Sequence, residues 1–413
     1  MKTTQVRMTM FHPYKLKILA SVAVLAMALP ATGHADDVKI GILGGLTGPI
    51  ESLVPPIIAS SKLAGVHINE QGGILGGQKI VTPVGDTTCA DATAAANAAD
   101  RLVNSENVLA ISGALCSGAT ISAANNAAIP GNVVVISPAS TSPAISEMDD
   151  NDLVYRVAPS DAYQGEVMAR LLMSKGLDEI ALAYVNNDYG KGLADAIEAN
   201  FKIQGGTVAA KEAHEEGKAD YRGEVGSLAS SGAPTLVIVA YGDGSGQTLL
   251  RQAIEAGDFE QLVGAEGMLA VGIIENIEAA DLEGMIVTKV GNPAVPGKDV
   301  FEPLAKAAGL DVSAPFVTQG YDSVFLLALA IEKNGKAERA GLAKALRAIA
   351  SPPGETVFPG EWEKALGLLK DGQDINYEGA SGSHDFDVKG DVPGAIIEMV
   401  IKGGKFVEVG EFK

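Results

Sequence analysis

Between Val38 and Ala256, short apolar runs alternate with stretches of helical length, and this alternation restricts the folds open to the chain. Strands are expected over residues 38–43, 79–84, 108–112 and 133–137, with helices at 59–71, 91–104 and 117–127 between them. The rhythm returns with strands at 180–185, 208–211 and 236–240 and helices at 191–204, 221–230 and 247–256. Strands separated by helices pair in parallel, and a parallel sheet buries both faces beneath those helices. Two such series predict an α/β protein of two doubly wound parallel-sheet lobes.

Length agrees with two lobes. The first 35 residues read as a signal peptide: Lys2, Arg7, Lys15 and Lys17 supply a positive start, and 18–29 form an apolar core. Gly33-His34-Ala35 offers small residues for cleavage. The core is too short to span a membrane, and no stop-transfer segment follows. No Cys stands at the cleavage site, so a lipid anchor is not expected. A buried N-terminal helix is the alternative. The mature chain is expected to start at Asp36, soluble in the periplasm. Its roughly 380 residues exceed what one hydrophobic core usually organises.

Processing would remove four of the 31 basic residues and no acidic ones, leaving 27 against 51 and a net charge of −24. Such a surface repels phosphate backbones and anionic headgroups, which argues against nucleic-acid or peripheral membrane binding. The two cysteines, Cys89 and Cys116, form an even pair in an exported chain and are read as a disulfide. A metal site is the alternative, but none of His67, His214 and His384 lies at ligand spacing from either Cys.

Catalytic signatures are missing. There is no Gly-x-x-x-x-Gly-Lys-Ser/Thr cradle, and the Gly-rich run from Gly41 to Gly48 lacks the Gly-x-Gly-x-x-Gly spacing. Gly244-Ser245-Gly246 does not make a nucleophile elbow. No cofactor and no enzymatic activity are expected.

Several segments together resemble the type I periplasmic binding proteins that serve branched-chain and related amino-acid transporters. They are Val38-Lys39-Ile40-Gly41-Ile42, Leu46-Thr47-Gly48-Pro49 and Ile68-Asn69-Glu70-Gln71-Gly72-Gly73-Ile74. Cys89 with Leu115-Cys116-Ser117, the run Ile136-Ser137-Pro138-Ala139-Ser140-Thr141-Ser142-Pro143, and Asn187-Asp188-Tyr189-Gly190-Lys191-Gly192 continue the series. Leu249-Leu250-Arg251-Gln252-Ala253, Gly264-Ala265-Glu266-Gly267 and Asp385-Phe386-Asp387-Val388-Lys389-Gly390-Asp391 complete it. The resemblance spans essentially the whole mature chain, and its specificity lies in the order of the motifs. It implies a multi-strand hinge, with 36–157 plus 291–376 as one lobe and 158–290 plus 377–413 as the other. Pro and Gly mark candidate crossings at Val157-Ala158-Pro159-Ser160, Lys289-Val290-Gly291-Asn292-Pro293 and Tyr377-Glu378-Gly379-Ala380-Ser381-Gly382, although they also mark ordinary loops.

Ser117 stands where a strand gives way to a helix, so it could hold a carboxylate or simply cap its helix. Ala139 and Thr141 follow a strand at its carboxyl end, where open α/β sheets bind ligands, but a hydrogen-bonded turn would read the same. Glu266 lies in a loop and could be a solvated charge; Tyr241 could be a core residue. The resemblance assigns Ser117, Ala139 and Thr141 to the α-carboxylate and ammonium of an amino acid. It sets Glu266 against the ammonium and Tyr241 over the ligand. Tyr189, Leu53 and Tyr321 are expected to line the side-chain pocket, with Asp322 a further candidate. Leu53 replaces an aromatic that relatives often carry. No Arg or Lys stands next to any of these residues in sequence, which argues against a dicarboxylate held by a second cation.

The implied protein is a monomeric hinged trap that closes on a small amino acid and hands it to the membrane permease subunits of an ABC importer. A ligand sensor of the same fold, a binder of a keto acid or amide, and an exported enzyme are the rival readings.

Overall fold

The computed structural model of the protein describes residues 37–291 and 295–412. The expected signal peptide and the Asn292-Pro293 end of the second crossing lie outside the described residues. The first six strands are β1 (Val38–Gly44), β2 (Ile80–Val81), β3 (Val84–Asp86), β4 (Ala110–Ser112), β5 (Val134–Ser137) and β6 (Val154–Arg156). They form one parallel sheet in the order β2-β1-β4-β5-β6, with β3 also pairing β1. The strand expected over 79–84 is broken in two at Pro83, which has no amide hydrogen; its carbonyl still accepts from the Ile42 amide at 2.8 Å.

The next strands are β7 (Glu179–Val185), β8 (Thr207–His214), β9 (Thr235–Val239), β10 (Gln261–Gly264) and β11 (Ile286–Gly291). After them β12 (Glu355–Val357) and β13 (Ile375–Tyr377) pair as a small parallel sheet. The chain ends in β14 (Ala395–Lys402) and β15 (Lys405–Phe412), and the second sheet runs β15-β14-β11-β10-β9-β7-β8. Its core is parallel, but β14 pairs antiparallel with β11 and β15 with β14. Joined only by Gly403-Gly404, these two strands form a hairpin and need no crossover helix.

β5 and β9 are buried along their whole length, as expected of parallel strands covered on both faces. The helix Val54–Glu70 starts five residues before the expected position. Pro55 and Pro56 fall in its first turn, where an amide has no helical partner to lose. It packs on the helix Val317–Asn334, which is buried from Val317 to Ile331. Cys89 and Cys116 are disulfide-bonded, with Cα atoms 5.5 Å apart, and staple the loops that follow β3 and β4.

Residues after β13 do not pass directly to the second sheet. Asp322 accepts from the Tyr377 hydroxyl at 2.7 Å and from the amides of Ala380 and Ser381 at 2.9 and 2.7 Å. Phe386 packs edge-on against Tyr155, and the Gly390 carbonyl accepts from the Arg156 amide. The stretch 378–391 therefore lies on the first sheet's side, and the chain joins the second sheet at Ala395. Among the described residues no helix is long and apolar enough to cross a membrane, and no group of three or more His, Cys, Asp or Glu could hold a metal.

Candidate ligand-binding site

A parallel strand ends with its backbone pointing into the loop beyond it, and in both sheets those loops converge on one cavity. Ile50 and Leu53 follow β1, Leu115 to Ser117 follow β4, and Ala139 and Thr141 follow β5. From the second sheet come Tyr189 after β7, Tyr241 after β9, and Glu266 with Gly267 after β10. Phe316, just ahead of the long buried helix, completes the lining. The cavity holds about 40 Å³ of space open to the centre of a water molecule. A groove lined by Glu147, Tyr163, Asp385 and Asp387 is larger, about 650 Å³, but open to solvent.

The first sheet contributes a braced polar loop. Ser117 does not cap its helix: Cys116 holds the capping position, in extended conformation. The Ser117 hydroxyl instead accepts from the amides of Thr141 and Ser142 at 3.3 and 3.1 Å. Behind it, Ser137 donates to the Ala114 carbonyl at 2.6 Å and accepts from the Ser140 amide at 2.9 Å. These bonds fix the loop carrying Ala139 and Thr141.

Arg156 adds a support that spacing along the sequence does not reveal. It is fully buried, and its Nη1 donates to the carbonyls of Thr141 and Ser142 at 2.7 and 2.9 Å. Nε and Nη2 grip the Asp391 carboxylate at 2.7 and 2.9 Å, and Nη2 also donates to Ser146 Oγ at 2.5 Å. A cation therefore does approach the binding loop, contrary to the reading from adjacent residues, but its charge is met by Asp391.

The second sheet contributes aromatic and acidic groups. Tyr189 and Tyr241 stack with centroids 5.2 Å apart and planes at 21°. Gly190 and Gly267 permit this packing, since a Cβ there would lie 2.0 Å from the Val185 carbonyl oxygen and 2.5 Å from that of Ala240. Glu266 is not a solvated loop charge: it opens a short 3-10 turn and is 4% exposed. It accepts a hydrogen bond from the Gln164 amide, which also donates to Thr288 Oγ1 at 3.4 Å. Burial pushes the Glu266 carboxyl up, while the Gln164 and Tyr189 hydrogen bonds draw it down.

Tyr321 and Asp322 are not in the cavity. The helix that carries them turns both away: Tyr321 packs on Phe301 and Phe325, and its hydroxyl pairs with His67 Nδ1 at 2.9 Å and accepts from the Gly360 amide at 3.0 Å. Asp322 anchors the 377–381 segment. Phe316, five residues before Tyr321, holds the pocket position instead, with φ of 59°. Ile50, Leu115, Phe316 and Gln164 were not apparent from the sequence; the apolar ones carry no signal that separates a pocket wall from a core. The two halves also touch directly. The Ser52 amide donates to Asp243 Oδ2, and Ser142 Oγ to the Asp188 carbonyl, each at 2.8 Å.

Residues 37–364 match the sequence model of the periplasmic binding protein family. The Leu/Ile/Val-binding protein of Citrobacter freundii is 30% identical over 349 residues, covering 84% of this chain and 92% of that relative. The crystal structure of a leucine binding protein from Thermotoga maritima superposes with a TM-score of 0.76 at 25% identity, covering 91% of this chain and 99% of the other. A branched-chain amino acid transporter substrate binding protein from Streptococcus pneumoniae, solved in complex with isoleucine, gives 0.72 at 21% identity, over 90% of this chain and all of that one. Cavity, topology and family match agree across both sheets, and the chain belongs to the periplasmic binding protein family.

Proposed function

We propose that the protein captures a small α-amino acid with an apolar side chain, closes on it, and delivers it to the permease subunits of an ABC importer as a periplasmic monomer. One convergence carries this reading. A braced hydroxyl and amide loop from the first sheet faces a buried carboxylate from the second, across a wall of Ile50, Leu53, Leu115 and Phe316. The loop suits the ligand's carboxylate, Glu266 suits its ammonium, and the wall suits an aliphatic side chain. The binding proteins named above take leucine, isoleucine or valine, in keeping with that assignment. The protein performs no reaction on its ligand.

In this reading the hinge passes through 157–160 and 289–291. With 378–391 on the first sheet's side, we take 392–394 rather than 377–382 as the third crossing. Closure is a population shift toward contacts made only when both loop sets meet. Equilibrium titration against amino acids, 2-oxo acids and amides tests the reading. Leucine, isoleucine or valine should be among the tightest ligands. Binding confined to carboxylates without an amine would sink it.

A further inference from the structure

A second buried carboxylate stands behind the site. Asp161 opens the helix Asp161–Ser174 and is fully buried; its carboxylate makes no well-formed hydrogen bond, although the Thr141 hydroxyl stands near enough to draw it down. It is not needed as a cap, because Ser160 Oγ accepts from the Ala162 amide at 3.2 Å. Its own amide donates to the Thr141 carbonyl at 2.8 Å, which sets it against the binding loop.

The charged and titratable groups around it come from four elements. Gln164, one turn along the same helix, donates to Glu266 after β10, and burial first, with the Glu266 charge after it, pushes the Asp161 carboxyl well up. Arg156, on β6, opposes this, but its guanidinium is engaged by Asp391, Ser146 and the two loop carbonyls. Tyr189 and Tyr241, at the ends of β7 and β9, are neutral phenols that feel both carboxylates. Two carboxylates in one dry site cannot both stay ionised without a cation.

We propose that Asp161 and Glu266 share one proton in the empty cleft and exchange it for the ammonium of the incoming ligand. The inference rests on the amino-acid reading above. The zwitterion enters with its ammonium intact, the shared proton leaves to bulk water, and the carboxylate pair keeps a single compensating positive charge throughout. A ligand with a carboxylate but no amine brings nothing to replace the proton. The pair thereby selects for amines more strongly than Glu266 would alone, and it ties affinity to pH.

The test is calorimetric titration of the mature protein with L-leucine in buffers of different ionisation enthalpy, repeated from pH 5 to 8. Release of about one proton per ligand is expected wherever the pair is protonated, with affinity rising up to about tenfold per pH unit there. The amine-free probe 4-methylpentanoate should release none. Asp161→Asn, which keeps the side chain's shape, should still bind leucine but lose both proton release and pH slope. Should that variant fail to fold, the wild-type buffer series decides alone. Leucine binding with buffer-independent enthalpy at every pH overturns the shared proton and leaves the functional reading intact. Failure of leucine, isoleucine and valine all to bind overturns both.

Discussion

Asp243 reaches across the cleft to accept a hydrogen bond from the amide of Ser52 at 2.8 Å, joining the loop after β9 to the loop after β1. Neither residue lines the cavity, and under the proposed hinge motion the contact forms only on closure. Asp243→Ala should weaken every ligand by a similar factor, about fivefold for a loss of about 1 kcal/mol, mostly through faster release. Stopped-flow measurements on two ligands check this. A loss confined to one ligand would place Asp243 in the pocket instead.

Glu266→Gln removes the buried charge and keeps the shape. Losing a charge-assisted contact in a dehydrated cleft should cost about 2–4 kcal/mol, or about 30- to 1000-fold in affinity for an amino acid. A 2-oxo acid of the same skeleton should bind unchanged or better. Ser117→Ala should weaken both, since its hydroxyl braces the loop at 141 and 142 that is proposed to receive the carboxylate both ligands carry. Equal losses for amino acid and 2-oxo acid in Glu266→Gln would count against ammonium recognition.

The disulfide should stabilise the fold by about 3–4 kcal/mol through a loop of 27 residues. Cys116 also lines the cavity. Reduction should therefore lower the melting temperature by several degrees and weaken binding a few-fold without abolishing it. Calorimetry with and without reductant measures both effects. Unchanged affinity after full reduction would show that the staple is remote from the ligand in its effect.

Much of this arrangement was legible from the pattern of strands. Positions just past a parallel strand's carboxyl end face the crevice, but it was the family resemblance that singled out Ser117, Ala139, Thr141, Tyr189, Tyr241 and Glu266, and the structure brings them together with Leu53. Tyr321 was misplaced because the Val317–Asn334 helix is buried on every side from Val317 to Ile331, polar positions included, leaving no exposed face to set its phase. Arg156 and Asp161 were missed for a different reason. Their partners lie on separate strands and loops, and a charged residue at a strand end or helix start reads as an ordinary surface group.

Tyr321→Phe tests that corrected placement. It deletes the hydroxyl shared with His67 and Gly360 deep in the first lobe and should cost about 1–2 kcal/mol of stability. Leucine affinity should stay within twofold of wild type. A tenfold loss of affinity would return Tyr321 to the pocket.

His214, at the end of β8, carries a pH dependence of stability. Its Nε2 lies 3.1 Å from Ser245 Oγ, its Nδ1 has no partner, and burial pushes the imidazole down to about 4. Above pH 6.5 the ring is neutral folded or unfolded, and the full stability is present. As pH falls from 6.5 to about 4, only the unfolded chain takes up the proton, so stability declines by about 2–4 kcal/mol from this site. Denaturant unfolding across that range should give a shallower decline for His214→Gln. Parallel curves for the two proteins would remove His214 as the cause.

Arg156 clamps the ligand loop with one end of its fork and the 378–391 strap with the other. Substitutions at Asp391, 250 residues from Thr141 along the chain, would slacken the same loop. A genetic selection for lost uptake should therefore yield alleles clustered in two places. One set surrounds the cavity, and the other lies in a stretch that never meets the nutrient and would pass for a bystander on any map of contacts.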